Sequence, residues 1–316
     1  MSAAQWVVFG SGYIAREWIL AIQSCNHGDI CVIARNPQAM NAITAEFPAI
    51  NAYHIGSEIA ETAVASSDFI IVCTSIISTL DIARHALELR KGDAVIILEK
   101  PGFDFSTCIS NFFLEPVFTE PGIHIAYNRR FYDGTGRFSS NFQRMYKSSG
   151  EVNVKIGVSE NFLTIDTEKF PESVVSNWVA ANTIHIIDLV TFVMETADID
   201  ILGDLHPYEI MWDRDNTFRI QAPCAVINLT VEAHSDRPGW YFEAENEIEQ
   251  ISLRPLEKFS HRAESGVRTQ VEADFPKPGY KNMVKKLILG DLGAFPSFKK
   301  NIEFLVRMQS IFKQPD

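Results

Sequence analysis

Apolar residues in the first part of the chain gather in short unbroken runs: Trp6-Val7-Val8-Phe9, Ile30-Cys31-Val32-Ile33-Ala34, Asp68-Phe69-Ile70-Ile71-Val72, Ala94-Val95-Ile96-Ile97-Leu98 and Ile123-His124-Ile125-Ala126-Tyr127. Runs without polar alternation predict strands buried on both faces of a parallel sheet. Between them, helical spacing starts after Gly12 and recurs at Gln38–Phe47 and Ser78–Leu89, and a shorter strand is predicted around Ala52–His54. Alternating strand and helix is the pattern of a doubly wound α/β sheet. Beyond about residue 132 the pattern changes. Glu151–Ser159, the region Glu209–Ile220, Cys224–Ala233 and Tyr241–Glu249 read as strands, with a turn at Asp236-Arg237-Pro238-Gly239 and one helical segment at Ser173–Thr196. Strands in succession with helices set apart predict an α+β domain on an open, mainly antiparallel sheet. A last helix, Ser297–Phe312, carries Ile302, Leu305, Met308 and Phe312 at helical spacing, which is core packing on one domain or the other.

The first run leads straight into Gly10-Ser11-Gly12-Tyr13-Ile14-Ala15 and a helix. Strand, glycine turn and helix start are the phosphate-binding unit of a dinucleotide fold. Gly10 permits the tight turn, Gly12 removes a side chain where backbone must approach a pyrophosphate, and Ala15 stands where helix and strand pack closely. The helix N-terminus at Tyr13 and Ile14 offers N–H groups and partial positive charge to the phosphates. Thr74-Ser75 ends the third buried run, at the carboxyl edge of the sheet where ligands of such folds bind. The second run ends in Arg35-Asn36-Pro37 with no acid. An acid there would hold a ribose 2′-hydroxyl, whereas a guanidinium pairs with a 2′-phosphate, so NADP(H) is preferred to NAD(H). The chain is accordingly divided into a Rossmann domain, 1–125, and a substrate-binding and oligomerisation domain, 126–316.

Composition narrows the partners. At 316 residues, 46% apolar and 22% charged, the chain can bury a sizeable core. A net charge of −12 and the lack of a Lys/Arg run exclude a phosphate-reading surface for nucleic acid or anionic membrane and favour a small-molecule ligand. No apolar stretch reaches the roughly 18 residues of a membrane span, and the start lacks a signal-peptide pattern, so a cytoplasmic location is expected. The five cysteines, Cys25, Cys31, Cys73, Cys108 and Cys224, have no zinc-ligand spacing and read as reduced thiols, with no metal expected.

At Glu99-Lys100-Pro101 the chain resembles the oxidoreductases named after glucose–fructose oxidoreductase, inositol 2-dehydrogenase and the rhizopine-catabolism protein. The turn Gly10–Ala15, Asn128-Arg129-Arg130-Phe131 and the pattern His185-Ile186-Ile187-Asp188 match in order and spacing, so the resemblance spans nearly the whole chain. It implies hydride transfer between NADP(H) or NAD(H) and a hydroxyl-bearing carbon of a sugar, cyclitol or nucleotide-linked sugar. It implies that Lys100, often followed by a cis peptide bond in relatives, hydrogen-bonds the reacting hydroxyl, with Glu99 beside it at the cofactor. His185 would be the general acid/base, suited by an imidazole's ordinary pKa near 6.5. Asp188, three residues on along the helix, would support it. Asn128, Arg130 and Asn182 would contact substrate or its immediate supports. Many relatives carry an aspartate four residues before the histidine; here that place is Ala181, and Asn182 or Asn177 can hydrogen-bond but not act as a base.

The expected activity is therefore an NAD(P)-dependent oxidoreductase on CH–OH groups of a sugar or nucleotide-linked sugar, with surface-polysaccharide synthesis as the expected setting. Ala181 motivates an alternative, a cofactor-binding sensor or scaffold without catalysis, and an epimerase-like enzyme with retained cofactor is a further one. A homo-oligomer is expected because an open sheet leaves one face to cover. Specificity is assigned to the Phe162–Pro171 segment and the region after Trp240.

Overall fold

The computed structural model of the chain describes residues 4–103, 117, 120–149, 152–159, 172–175, 182–200, 209–212, 218–224, 227–234, 239–263, 266, 268–272 and 275–311. They divide into two units, one joining Met1–Tyr127 to Tyr280–Met308, the other built on Asn128–Gly279. Ala181, Asn177, Phe312, the Phe162–Pro171 segment, Cys108 and the turn residues Asp236-Arg237-Pro238 lie outside the described residues.

In the first unit, β1 (Gln5–Phe9), β2 (Asp29–Ala34), β3 (Asn51–His54), β4 (Phe69–Val72), β5 (Val95–Glu99) and β6 (Ile123–Ala126) form one sheet in the order β3-β2-β1-β4-β5-β6. Every pairing is parallel. Val7, Val8, Phe9, Ile70, Ile71, Val72, Ile96, Ile97 and Leu98 are all buried, so consecutive residues face covered surfaces on both sides, as the unbroken runs predict. Each such side chain contributes roughly 1.5–3 kcal/mol of burial. Helices α1 (Tyr13–Ser24), α2 (Pro37–Glu46), α3 (Glu58–Ala65) and α4 (Ile76–Leu89) make the connections. Asn36 caps α2 by accepting from Gln38 N at 2.9 Å and Ala39 N at 3.2 Å, with Pro37 in the first turn, and Ser57 caps α3.

The second unit carries an eight-stranded sheet of β7 (Val152–Ser159), β8 (Glu209–Trp212), β9 (Phe218–Cys224), β10 (Ile227–His234), β11 (Tyr241–Glu245), β12 (Glu249–Leu253), β13 (Lys258–Ala263) and β14 (Arg268–Glu272). Its order is β14-β13-β12-β11-β7-β10-β9-β8, antiparallel except where β7 meets β10. The stretch Tyr241–Glu249, predicted as one strand, starts a hairpin, because the Asn246 side chain accepts from Ile248 N and Glu249 N and turns the chain. The region Glu209–Ile220 likewise contains two paired strands, and β13 and β14 were not predicted.

Two longer helices among the described residues accompany this sheet, α5 (Asp133–Ser149) and α6 (Ile184–Glu195). The predicted segment Ser173–Thr196 is represented by a single helical turn, Glu172–Val175, and by α6. The sequence pattern does not predict α5, because Gly134 and Gly136 weaken its helical signal. Gly134 is there for contact: a Cβ on it would come within 2.8 Å of Phe259 Cβ and 2.9 Å of Leu253 Cδ2. Phe138, Phe142 and Met145, at spacings of four and three, form the helix's buried stripe, and the Phe138 ring packs 4.3 Å from Phe242.

On β7 and β11 the alternation is clean. Val154, Ile156, Phe242 and Ala244 are buried, while Lys155 donates to Glu245 Oε1 at 2.7 Å on the other face. Arg254 donates to Glu243 Oε1 at 3.0 Å on that face and lies 4.5 Å over the Tyr241 ring, which crosses Gly157. That face of β7 and β11 therefore carries charge pairs.

The last two helices are α7 (Tyr280–Ile288) and α8 (Phe298–Ile311), and the first unit holds α7 and, as far as Met308, α8. Tyr280 packs edge-on to Trp18 of α1 at 5.2 Å, and Phe298, Ile302, Leu305 and Met308 are buried. The division at 125/126 drawn from the sequence puts all later residues in the second domain. Ile302, Leu305 and Met308 form the apolar stripe predicted for α8, but a stripe shows that a helix has a core-facing side and not which core it faces.

Candidate functional site

The glycine turn borders a cleft of about 420 Å³ in the first unit, lined by Phe9, Gly10, Ser11, Gly12, Tyr13, Ile14, Ile33, Ala34, Arg35, Asn36, Ile55, Cys73, Thr74, Ser75 and Ile82. The two glycines differ. Gly10 has φ +118°, its N–H donates to Ile33 O at 2.9 Å, and a Cβ would stand 2.6 Å from Cys73 O. No other residue fits that conformation and contact without displacement. Gly12 precedes α1 in an extended conformation, and a Cβ there would meet nothing within 4 Å. Its missing side chain leaves open space at a helix N-terminus that no side chain caps and whose first turn holds no acidic residue. That is the cradle a pyrophosphate requires, so the residues present fit a dinucleotide. Ala15 is fully buried, consistent with close packing of α1. Arg16 ties the turn down, donating to Ser11 O at 2.9 Å and Glu46 Oε2 at 2.7 Å.

Arg35 lies exposed on the same cleft and donates from Nη2 to Ser78 Oγ at 3.3 Å; Ser78 Oγ is 2.6 Å from Ser75 Oγ. Nothing in the local sequence pattern marks Ser78, although it stands one helical turn after Ser75. Below the turn, burial and the charge of Glu99 push the Cys73 thiol well above its ordinary range, and Cys73 Sγ donates to Phe9 O at 3.2 Å. A protonated buried thiol is a wall, not a nucleophile. Cys25, Cys31 and Cys73 are unpaired thiols, and among the described residues no cluster suited to a metal ion occurs.

Glu99 ends β5 and Lys100 follows it, both half-buried, and the Lys100–Pro101 peptide is cis, as the resemblance implies. Glu99 Oε1 accepts from Trp18 Nε1 at 2.7 Å and Tyr280 OH at 3.0 Å, partners the sequence did not reveal.

In the second unit, His185 and Asn182 are half-buried at the start of α6. Asp188, one turn on, is buried and turns both oxygens to Arg130, at 2.8 Å from Nε and 2.6 Å from Nη2. Arg130 itself is only 9% exposed and lies 4.9 Å over the Phe192 ring. Burial pushes the Asp188 carboxyl up and Arg130 pulls it down, the net being upward. Asn128 Nδ2 donates to Pro278 O at 3.2 Å and to Tyr132 OH at 3.4 Å. Thus Arg130 and Asp188, separate in sequence, are one buried pair, while Asn128 holds backbone.

No family model and no curated protein matches the chain. Solved structures match it along nearly its full length. It is similar to a Gfo/Idh/MocA family oxidoreductase from Vibrio cholerae, at 12% identity over 98% of this chain and 100% of that one, with a TM-score of 0.68. The WlbA (WbpB) dehydrogenase from Thermus thermophilus, solved with NAD and UDP-GlcNAcA, is 14% identical over 99% and 97% of the two chains, TM-score 0.62. The super-repressor mutant of Gal80p from Saccharomyces cerevisiae is 12% identical over 98% and 95%, TM-score 0.70. At these identities the likeness establishes the fold: the chain folds as Gfo/Idh/MocA oxidoreductases do.

Two substitutions separate the glycines. Gly10→Ala, strained at positive φ and pressed on Cys73 O, is expected to lose about 2 kcal/mol or more in denaturant unfolding. Gly12→Ala is expected to unfold like the parent yet bind a dinucleotide about tenfold more weakly or worse, since the methyl occupies phosphate space. Equal stability of the two variants would contradict this assignment. For the buried pair, Asp188→Ala is expected to cost about 3–5 kcal/mol by stranding the guanidinium, and Arg130→Met with Asp188→Leu distinctly less. A single-variant loss below about 1 kcal/mol would mean that the pair is solvated in solution.

Proposed function

We propose that the chain is an NADP(H)- or NAD(H)-dependent oxidoreductase acting on a hydroxyl-bearing carbon of a sugar or nucleotide-linked sugar, with NADP(H) preferred. The observation that carries this reading is the open space at Gly12, at the head of α1, in a cleft that also presents Arg35. Gly10, Gly12, Tyr13, Ile14 and Ala15 would hold the pyrophosphate, Arg35 a 2′-phosphate, and Thr74 and Ser75 the wall beside them. When bound, the nicotinamide supplies a two-electron hydride acceptor or donor. The chain's own residues have the proton to manage. Lys100 donates a hydrogen bond to the hydroxyl oxygen as negative charge develops there, the point at which a fixed donor contributes most. His185 takes the proton from that hydroxyl in oxidation and returns it in reduction. Asp188 and Arg130 hold α6, and with it His185, in place. The nucleotide-sugar class is supported by the likeness to the Thermus thermophilus dehydrogenase solved with UDP-GlcNAcA.

A second reading, a cofactor-binding regulator without turnover, is favoured by Ala181 where many relatives carry aspartate, and by the likeness to the Gal80p super-repressor mutant. Steady turnover of any sugar with free nicotinamide cofactor would exclude it.

Fluorescence titration should show NADPH binding about tenfold or more tightly than NADH, the worth of a charge-assisted contact, with Arg35→Ala removing the difference. An unchanged ratio in that variant would overturn the 2′-phosphate assignment. In turnover assays over a panel of sugars and nucleotide sugars, Lys100→Ala and His185→Ala should each lower kcat by about a hundredfold. Losses within about threefold would remove both from the chemistry.

A further inference from the structure

We propose that Tyr280 of α7 and Asn301 of α8 are positioning residues for Lys100, clamping the Glu99-Lys100-Pro101 segment on either side of the lysine. This rests on the reading of Lys100 given above. Before the lysine, Glu99 Oε1 receives Tyr280 OH at 3.0 Å and Trp18 Nε1 at 2.7 Å. After it, the Pro101 carbonyl receives Asn301 Nδ2 at 2.9 Å. Asn301 is oriented in turn, because its Oδ1 accepts from Tyr127 OH at 2.7 Å, leaving the amide nitrogen to face Pro101. Tyr280, Trp18, Asn301 and Tyr127 are each at most 2% exposed. Burial and Glu99 push the Tyr280 phenol well above its ordinary range, so it stays a donor.

A lysine amine rides on a flexible four-carbon stem, so its placement depends on how firmly its backbone is held. Apolar side chains in the same space would pack, but they would leave the Glu99 carboxylate and the Pro101 carbonyl short of these donors. Two polar anchors meeting from residues 181 and 200 positions away flank the lysine closely, one on the preceding side chain and one on the following carbonyl. Packing alone would not require either anchor to be polar.

The test uses the full chain and needs no known substrate. Trace acetic anhydride labelling, read by peptide mass spectrometry from pH 6 to 9, reports the reactivity of Lys100. Tyr280→Phe keeps the ring against Trp18 and loses only the hydroxyl; Asn301→Asp sets a carboxylate against the Pro101 carbonyl at neutral pH, relieved when protonated. Each folded variant is expected to change the Lys100 labelling rate about threefold or more while NADPH affinity stays within about twofold, and, where a sugar is turned over, to lower kcat about tenfold with KM little changed. The Asn301→Asp defect should shrink as pH falls, which loss of packing would not produce. Lys100 labelling within about twofold of the parent in both variants overturns the proposal, and if Asn301→Asp does not fold, Tyr280→Phe decides alone. Failure of NADPH to bind the parent or shield its Lys100 would instead strike at the functional reading, leaving the labelling comparison to decide the clamp.

Discussion

The close approach of two backbones, Gly10 against Cys73 at the carboxyl ends of β1 and β4, is the constraint from which the cleft follows. With β2 on one side of β1 and β4 on the other, the connections leaving β1 and β4 part in different directions, and the gap between them cannot close. The glycine turn roofs that gap without filling it. Gly10 lets the chain turn while pressed to within contact of the neighbouring strand, and Gly12 keeps the head of α1 bare. Arg16, bonded to both Ser11 and Glu46, keeps the turn from relaxing into the space it leaves. The cavity is thus held open by packed backbone and not by side chains that would have to move aside.

The second unit keeps its helix in place by different means. Arg130 and Asp188 form a bidentate pair with almost no solvent contact, at a desolvation cost that apolar residues would not incur. What the pair adds is direction: the planar fork fixes the rotation of α6 at Asp188, and so the side from which His185 projects one turn earlier. α5 reaches the same core through Gly134, where removing a side chain lets helix and sheet come close enough for Phe138 and Phe242 to touch.

Charge is placed with the same economy on the outer face of β7 and β11. Pairs such as Lys155–Glu245 and Arg254–Glu243 occupy the face opposite the buried stripe of Val154, Ile156, Phe242 and Ala244. Exposed pairs of this kind add little stability, about 0–1 kcal/mol each, but they keep water on a surface that an apolar ladder would offer to another sheet.

Much of the first unit was legible in the chain itself. Unbroken apolar runs determine buried parallel strands because both faces need covering, and Gly10-Ser11-Gly12 determines the turn because few other residues permit that backbone. Arg35, Glu99 and Lys100 were placed by following strand ends. The hairpin at Asn246 and the helix at Asp133–Ser149 were harder to read, since one depends on a local side-chain turn and the other on glycines whose value lies in a distant contact. Only the tertiary structure decided that Asp188 answers Arg130, that Ser78 meets Arg35, and that Tyr280 and Asn301 return to flank Lys100. Periodicity specifies which face of an element is apolar, a short-range property of the chain. Which core receives that face, and which polar atoms meet beneath it, depends on contacts between residues up to 200 positions apart, and no local pattern encodes them.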